Sequence, residues 1–318
     1  MKFAIRVPAT SANLGPGFDA LGMAFDLRDD IEVEFSPVLA GEKPKTLVAI
    51  QGEGAESVAT DDSNLVVQAI RQTIKQPWRF AQPETPQPNI SLTCNNRIPH
   101  GRGLGSSAAA VVSGVLAGAA YLLGSDGINI QAVYEIATEI EGHPDNAAPA
   151  IFGGATVAWL GEVGSQGQVF HLKSANLPIS EDIAATLLVP SASLSTKAAR
   201  AALPEKVPHH DAAFNSGRAA LLVATLANQP ELLFDATADR LHQNYRAAQM
   251  PQSARVIKAL RDQGFAAVVS GAGPTVLVLS KKTEIPALQR VLNEIEIADW
   301  QVISPELDKT GATVRRIS

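Results

Sequence analysis

The segment IPHGRGLGSSAAAVVSG, residues 98–114, constrains the fold more than any other stretch of this chain. Gly101, Gly103 and Gly105 alternate with larger residues and run straight into Ser106, Ser107 and an uncharged, alanine-rich tract. Glycine admits positive φ and lets neighbouring groups approach the backbone closely. The tract that follows reads as a buried helix over 107–123. The first amide N–H groups of such a helix lack internal partners and sit at the positive end of its dipole. That terminus is an anion site, with phosphate as its usual occupant. The competing reading is a glycine turn with serine caps that serves structure alone. Better-known motifs are absent: no lysine completes a GxxxxGKS/T loop, and no strand-then-acid context makes a dinucleotide fingerprint. No GxSxG elbow supports a serine hydrolase acting through Ser106 or Ser107.

With 318 residues the chain has room for two domains and a sizeable core around that helix. Hydrophobic residues make up 46% and charged residues 18%, the mix of a folded rather than a disordered chain. The net charge of −6 comes without any Lys/Arg cluster, which argues against a nucleic-acid or anionic-membrane partner. Residues 108–124 carry no charge but fall short of the ~20 apolar residues of a membrane span. Cys94 is the only cysteine, so neither an intrachain disulfide nor a thiolate metal site is available. MKFAIRVPA interrupts its apolar run at Arg6 and Pro8, as a strand does and a signal peptide does not. A cytoplasmic location is expected.

KFAIRV, DIEVEF, TLVAI and NISLTC are short β-favouring runs, and residues 61–74 carry a helical apolar stripe behind Asp or Ser caps. Residues 76–88 hold four prolines and read as a surface loop. A second helix covers 129–141, and GGATVAWL, 153–160, resumes strand character. GEVGSQGQ, 161–168, marks a junction, which puts a first domain at 1–165 and a second at 166–318. In the second, a strand over 183–190 precedes helical patterns from Thr196 to Leu226 and from Arg255 to Gln263. FAAVVS and TVLVLS flank a GAGP turn, IPALQRVLNEIE forms a helix, and ATVRRI forms a last strand. Strand, helix, strand, strand, helix, strand is the ferredoxin-like order.

VPATSANLGPGFDALGMAFDL (7–27), PHGRGLGSSAA (Pro99–Ala109) and SGAGPTVLVLS (270–280) follow one another at spacings that span essentially the whole chain. Together they resemble the three motifs of the GHMP kinase family, small-molecule kinases named for galactose, homoserine, mevalonate and phosphomevalonate. The resemblance implies an α+β fold: a ribosomal-protein-S5-domain-2-like α/β domain, then a ferredoxin-like C-terminal domain. It also implies ATP as co-substrate, Mg²⁺, and phosphoryl transfer to an alcohol. PATSANLGPGFDALG, EGHPDNAAPAIFGG (141–154) and STKAAR (195–200) look like the branch that phosphorylates L-homoserine on the way to threonine, as a homodimer. Pro8-Ala9-Thr10 stands where sugar and mevalonate kinases carry a Pro-Gly-Lys type segment.

By that resemblance Pro99, His100, Gly101, Arg102, Gly103, Leu104, Gly105, Ser106, Ser107, Ala108 and Ala109 bind ATP. Asn64 matches the nucleoside position, with a helix-initiating Asn the close alternative. Ser107 and Glu135 are the implied metal pair; against this, Glu135, Glu139 and Glu141 also read as one solvated helix face. Asp145 is the candidate general base and Asn146 the group that orients the hydroxyl, with Asp145 as a helix cap the alternative. Asn13, Asp19, His143 and Gly273 surround the amino acid, while Arg200 and Arg246 clamp its carboxylate in the bidentate manner that suits guanidinium. The active site then lies between the domains. The rivals are a kinase for another small alcohol such as mevalonate, the related decarboxylase, and a non-catalytic ligand- or partner-binding protein on the same fold. An intact phosphate loop and an available metal carboxylate argue against the last.

Overall fold

A computed structural model describes residues 1–161 and 172–318. The expected junction at 165/166 lies outside the described residues. The strands are β1 (Lys2–Asn13), β2 (Gly17–Ser36), β3 (Thr46–Gly52), β4 (Asn89–Asn96), β5 (Ala155–Leu160), β6 (Leu172–Leu177), β7 (Ile183–Val189), β8 (Ala266–Val269), β9 (Val276–Lys281), β10 (Gln301–Ile303) and β11 (Thr313–Arg316). The α-helices are α1 (Leu65–Ile74), α2 (Ser106–Leu123), α3 (Ile130–Glu141), α4 (Pro144–Phe152), α5 (Thr196–Ala201), α6 (His209–Asn228), α7 (Leu233–Ala236), α8 (Gln243–Arg246), α9 (Pro251–Asp262) and α10 (Ile285–Glu294).

The first sheet has seven strands, in the order β11-β1-β2-β4-β3, with β5 paired to β2 and β6 to β5. Helices α2 and α4 pack against it, and α1 and α3 pack on those helices. α2 is apolar and long enough by composition to cross a membrane, yet 67% of it is buried inside the fold. Its lack of charge therefore serves the core, as the sequence implied. The β1–β2 register slips at Pro8/Ala9, where proline offers no N–H to the ladder, and again at Ala12/Asn13. Those slips steer the hairpin tip, Asn13–Gly17, toward the second domain, where Asn215 Nδ2 donates to Pro16 O at 2.7 Å.

The second sheet has the order β10-β7-β9-β8, all antiparallel, with a separate apolar cluster under α9 and α10. This is the expected ferredoxin-like arrangement with one correction. Its fourth strand is β10, whereas ATVRRI, expected in that role, contributes β11 and pairs with β1 through Phe3↔Arg316 to Arg6↔Thr313. The chain crosses back because residues after β10 are anchored on β2: Asp308 N donates to Ala24 O, and Arg28 forms an ion pair with Asp308. The helical patterns expected from Thr196 to Leu226 resolve into two helices, α5 and α6. Pro204 and Pro208, in the span between them, cannot continue an N–H ladder.

Candidate active site

Three segments distant in sequence meet at the end of β1. Thr10 N donates to Leu104 O at 3.0 Å, and Gly271 N donates to Ala12 O at 3.1 Å. Ser270 Oγ lies 2.6 Å from Gly103 O and 2.9 Å from Ser11 Oγ, so it donates to the carbonyl and accepts from the hydroxyl. At Gly103, φ is +76°, and a Cβ would stand 2.3 Å from Ser270 O. At Gly105, φ is +70°, and a Cβ would stand 2.0 Å from Thr10 Oγ1, which itself donates to Asn146 Oδ1 at 2.8 Å. Glycine is required at both positions by conformation and by space.

Gly105 is the N-cap of α2 and supplies no side-chain capping bond, so the first turn keeps unclaimed N–H donors. Two cavities share Ser106 and Ser107 at this point. One is polar, about 150 Å³, and includes Gly103, Glu141, Asp145, Arg200 and Arg246 in its wall. The other, about 220 Å³, is mostly apolar, with Ile31, Ile50, Val58, Leu65 and Val66 in its wall beside Asn64 and Asp29. Burial pushes the Asp29 carboxyl up to about 6, although Arg97 N and Ile98 N donate to it.

The EGHPDN turn builds the polar wall. α3 stops at Gly142 in the left-handed conformation, His143 is the N-cap of α4, and Pro144 opens that helix. Asp145 therefore sits inside the first turn of α4 and is not its cap. Its carboxyl is 4% exposed and takes one long bond, 3.5 Å from Asn146 Nδ2. Burial pushes it up to about 7; Asp19 adds to the rise and Arg200 opposes it. Ser107 Oγ donates to Glu141 Oε2 at 2.8 Å, and burial raises the Glu141 carboxyl as well.

At the far end, Arg200 forks onto Asp19 with Nη2–Oδ1 at 2.7 Å and Nη1–Oδ2 at 3.2 Å, while its Nε donates to His143 Nε2 at 3.2 Å. Burial and Arg200 both lower the His143 pKa, consistent with an imidazole that accepts. Arg246 is 2% exposed, and among the described residues no carboxylate lies within ion-pair distance of it. Phe18 underlies both guanidiniums, its ring centroid 5.9 Å from Arg200 Cζ and 5.4 Å from Arg246 Cζ. Asn13 Nδ2 donates to Gly271 O and its Oδ1 accepts from Asp19 N, so this residue shapes the hairpin tip. Asn13, Leu14 and Asp19 all adopt positive φ, a concentration of left-handed residues at the cavity edge.

The sequence-derived candidates divide accordingly. Asn13, Asp19, His143, Asp145, Asn146, Arg200 and Arg246 converge on the polar cavity with Gly101, Gly103, Gly105, Ser106 and Ser107. Asn64 and His100 face the apolar cavity, and Asn64 also caps α1 by accepting from Val66 N and Val67 N. Pro99, Leu104, Ala108 and Ala109 are buried and contribute backbone. The Arg102 side chain turns away and donates to Pro190 O, His100 O and Ser191 O, which ties the loop to the end of β7. Gly271 and Ala272 border the cavity in place of Gly273, which packs on Met250. Ser107 and Glu135 are not brought together: the Glu135 carboxylate takes a bond from Gln131 Nε2 and lies 3.7 Å from Arg79. Six residues further on, at ~100° per residue, Glu141 points about 240° round the helix, toward Ser107. Sequence reasoning missed Glu141, Phe18 and His242; Glu141 and Phe18 had a signal, their places in the quoted EGHPDN and GPGFDALG, and His242 had none.

Comparison with known proteins places this geometry. The GHMP kinases N terminal domain matches residues 64–154 and the GHMP kinases C terminal domain residues 219–296. A homoserine kinase of Clavibacter michiganensis subsp. michiganensis is 47% identical over 98% of this chain and 93% of its own length. Another, of Leifsonia xyli subsp. xyli, is 46% identical over 99% of this chain and 92% of its own. The crystal structure of homoserine kinase from Cytophaga hutchinsonii superposes with a TM-score of 0.79 at 26% identity, covering 98% of this chain and 97% of that one. Relatives this alike over nearly their full length, on this fold and with these motifs, leave one reading: the chain belongs to the GHMP kinase family and groups with its homoserine kinases.

Proposed function

We propose that this protein is a homoserine kinase, which transfers the γ-phosphoryl group of ATP to the hydroxyl of L-homoserine and yields O-phospho-L-homoserine and ADP. The observation that carries the substrate class is Arg246, a buried guanidinium without a carboxylate partner, beside the Asp19–Arg200 pair. A buried guanidinium with no carboxylate in contact is costly unless a ligand supplies one. Homoserine supplies a carboxylate for the two arginines and an ammonium for Asp19. Its two-carbon arm then directs the hydroxyl toward Asp145 and Asn146.

The nucleoside fits the apolar cavity, and the triphosphate crosses Ser106 and Ser107, which both cavities share. There the uncapped N–H groups of α2 and the left-handed glycines take the part a loop lysine plays elsewhere. Phosphoryl transfer asks mainly for alignment and charge neutralisation. Asp145, held near neutrality by burial, accepts the hydroxyl proton as the bond to phosphorus forms. Mg²⁺ takes one or two protein oxygens and leaves the rest of its shell to phosphates and water. The hydroxyl of Ser107 and a carboxylate of α3 are hard oxygen donors that meet this need. Glu141 already touches that hydroxyl, whereas Glu135 must first leave Gln131. When bound, the ion neutralises charge on the transferring group. The proposal extends to a homodimer, which sedimentation of the purified chain tests, and to a cytoplasmic location, which fractionation of cells tests.

Coupled ADP release across homoserine, mevalonate, galactose and no acceptor tests the reading. Turnover confined to homoserine is expected; turnover with mevalonate, or ADP release independent of any acceptor, refutes it.

A further inference from the structure

His242 lies beneath the amino-acid cavity and is fully buried. The Asp239 carboxylate accepts from Leu241 N, His242 N and Gln243 N, which fixes the backbone that carries the ring. The ring stacks on Phe18 at a centroid distance of 5.2 Å. Nε2 stands 2.8 Å from Gly15 O, and a carbonyl oxygen only accepts, so Nε2 carries the proton. Nδ1 is then a lone-pair acceptor, and Arg246 Nη1 donates to it at 3.2 Å. Burial lowers the His242 pKa against the opposing pull of Asp239, whose carboxylate lies 3.8 Å from Nε2.

The remaining partners of Arg246 are neutral too: Nη1 donates to Gly271 O at 3.1 Å and Nε to Ala199 O at 3.3 Å. Nη2 makes no hydrogen bond to the described residues, and Arg246 lines the polar cavity. A carboxylate in place of the imidazole would neutralise the guanidinium and compete with an incoming anion. An apolar side chain would leave Nη1 with the Gly271 carbonyl as its one partner among the described residues. We propose, on the basis of the amino-acid reading above, that His242 is a positioning and specificity residue: its neutral ring aims Arg246 while leaving the full cationic charge for the substrate carboxylate.

Steady-state kinetics of His242→Leu, His242→Asn and His242→Asp test this. The loss of one hydrogen bond to a charged group corresponds to about 10- to 100-fold in affinity. His242→Leu is expected to raise the homoserine KM by about that factor, with kcat and the ATP KM within about 3-fold of wild type. His242→Asn places an amide oxygen where Nδ1 stands and restores most of the loss. His242→Asp is the worst of the three, because it supplies the competing carboxylate. Arg246→Ala combined with His242→Leu costs no more than Arg246→Ala alone. The proposal is overturned if the Leu variant keeps a wild-type homoserine KM, if Asn and Leu are equally impaired, or if the Leu and Arg246→Ala losses add. An unaltered ATP KM in the same samples shows that they are folded, and the Asn and Asp variants carry the test if Leu does not fold. A wild-type protein that turns over no homoserine refutes the substrate reading and the proposal with it. A wild-type protein that does, with variants indifferent, refutes the proposal alone.

Discussion

Replacing Asp145 with Asn should make the protein more stable and the enzyme far slower. The carboxyl is 4% exposed, and burial is the largest cause of its rise from 3.8 to about 7. A group whose folded pKa is raised contributes stability that is fully present below the unfolded value and is lost as pH rises through the folded one. The window here runs from about pH 4 to about pH 7. Three units at ~1.4 kcal/mol each give a loss of about 4 kcal/mol for wild type across that window. Asn does not titrate, so its own fixed packing cost cancels from the pH-dependent part. Denaturant unfolding of both proteins at pH 4, 6 and 8 measures it. The stability difference should shift by about 4 kcal/mol in favour of the variant between pH 4 and pH 8. Parallel stability curves would show that Asp145 is not held near neutrality, and the argument from burial would fail. In the same proteins the wild-type kcat/KM should fall below about pH 7 as the base is protonated, and Asn should lower kcat by about 100-fold or more.

Other consequences concern the rest of the site. Glu141→Gln should raise the Mg²⁺ concentration for half-maximal activity at least ~10-fold, and more than Glu135→Gln does. The reverse order in that titration would return the ligand to Glu135. Arg200→Ala should raise the homoserine KM by about 10-fold or more while the ATP KM stays near wild type, because its fork faces Asp19 and not the glycine loop. Equal effects on both substrates would contradict that placement. Gly103→Ala forces a Cβ to within 2.3 Å of Ser270 O at φ +76°, so both thermal stability and ATP affinity should drop. An unaltered ATP KM there would mean that the 98–114 and 270–280 loops need not touch.

Features written in one continuous stretch were legible before the structure. The start of α2, the glycines before it and the EGHPDN turn depend on local backbone chemistry, and they stand where the sequence implied. The ferredoxin-like order held for β7, β8 and β9, whose apolar runs announced them, but its fourth strand, β10, is only Gln301–Ile303 and carried no such signal. What failed to show was pairing at a distance. Four residues of β11 carry nothing that says they return to β1 across the whole chain. Glu135 and Glu141 share a helix and a residue type, and only the phase at which α3 meets α2 decides which faces Ser107. His242 resembled any polar residue in a loop. Its role arises from Gly15 and Phe18, more than two hundred positions away.

A crystal structure with homoserine and a non-hydrolysable ATP analogue tests the central claim most directly. It should show the substrate carboxylate on Arg246 and Arg200, its ammonium on Asp19, and the terminal phosphate on the amides of residues 103–107. A reversed amino acid, or a triphosphate lodged away from the start of α2, would contradict the account.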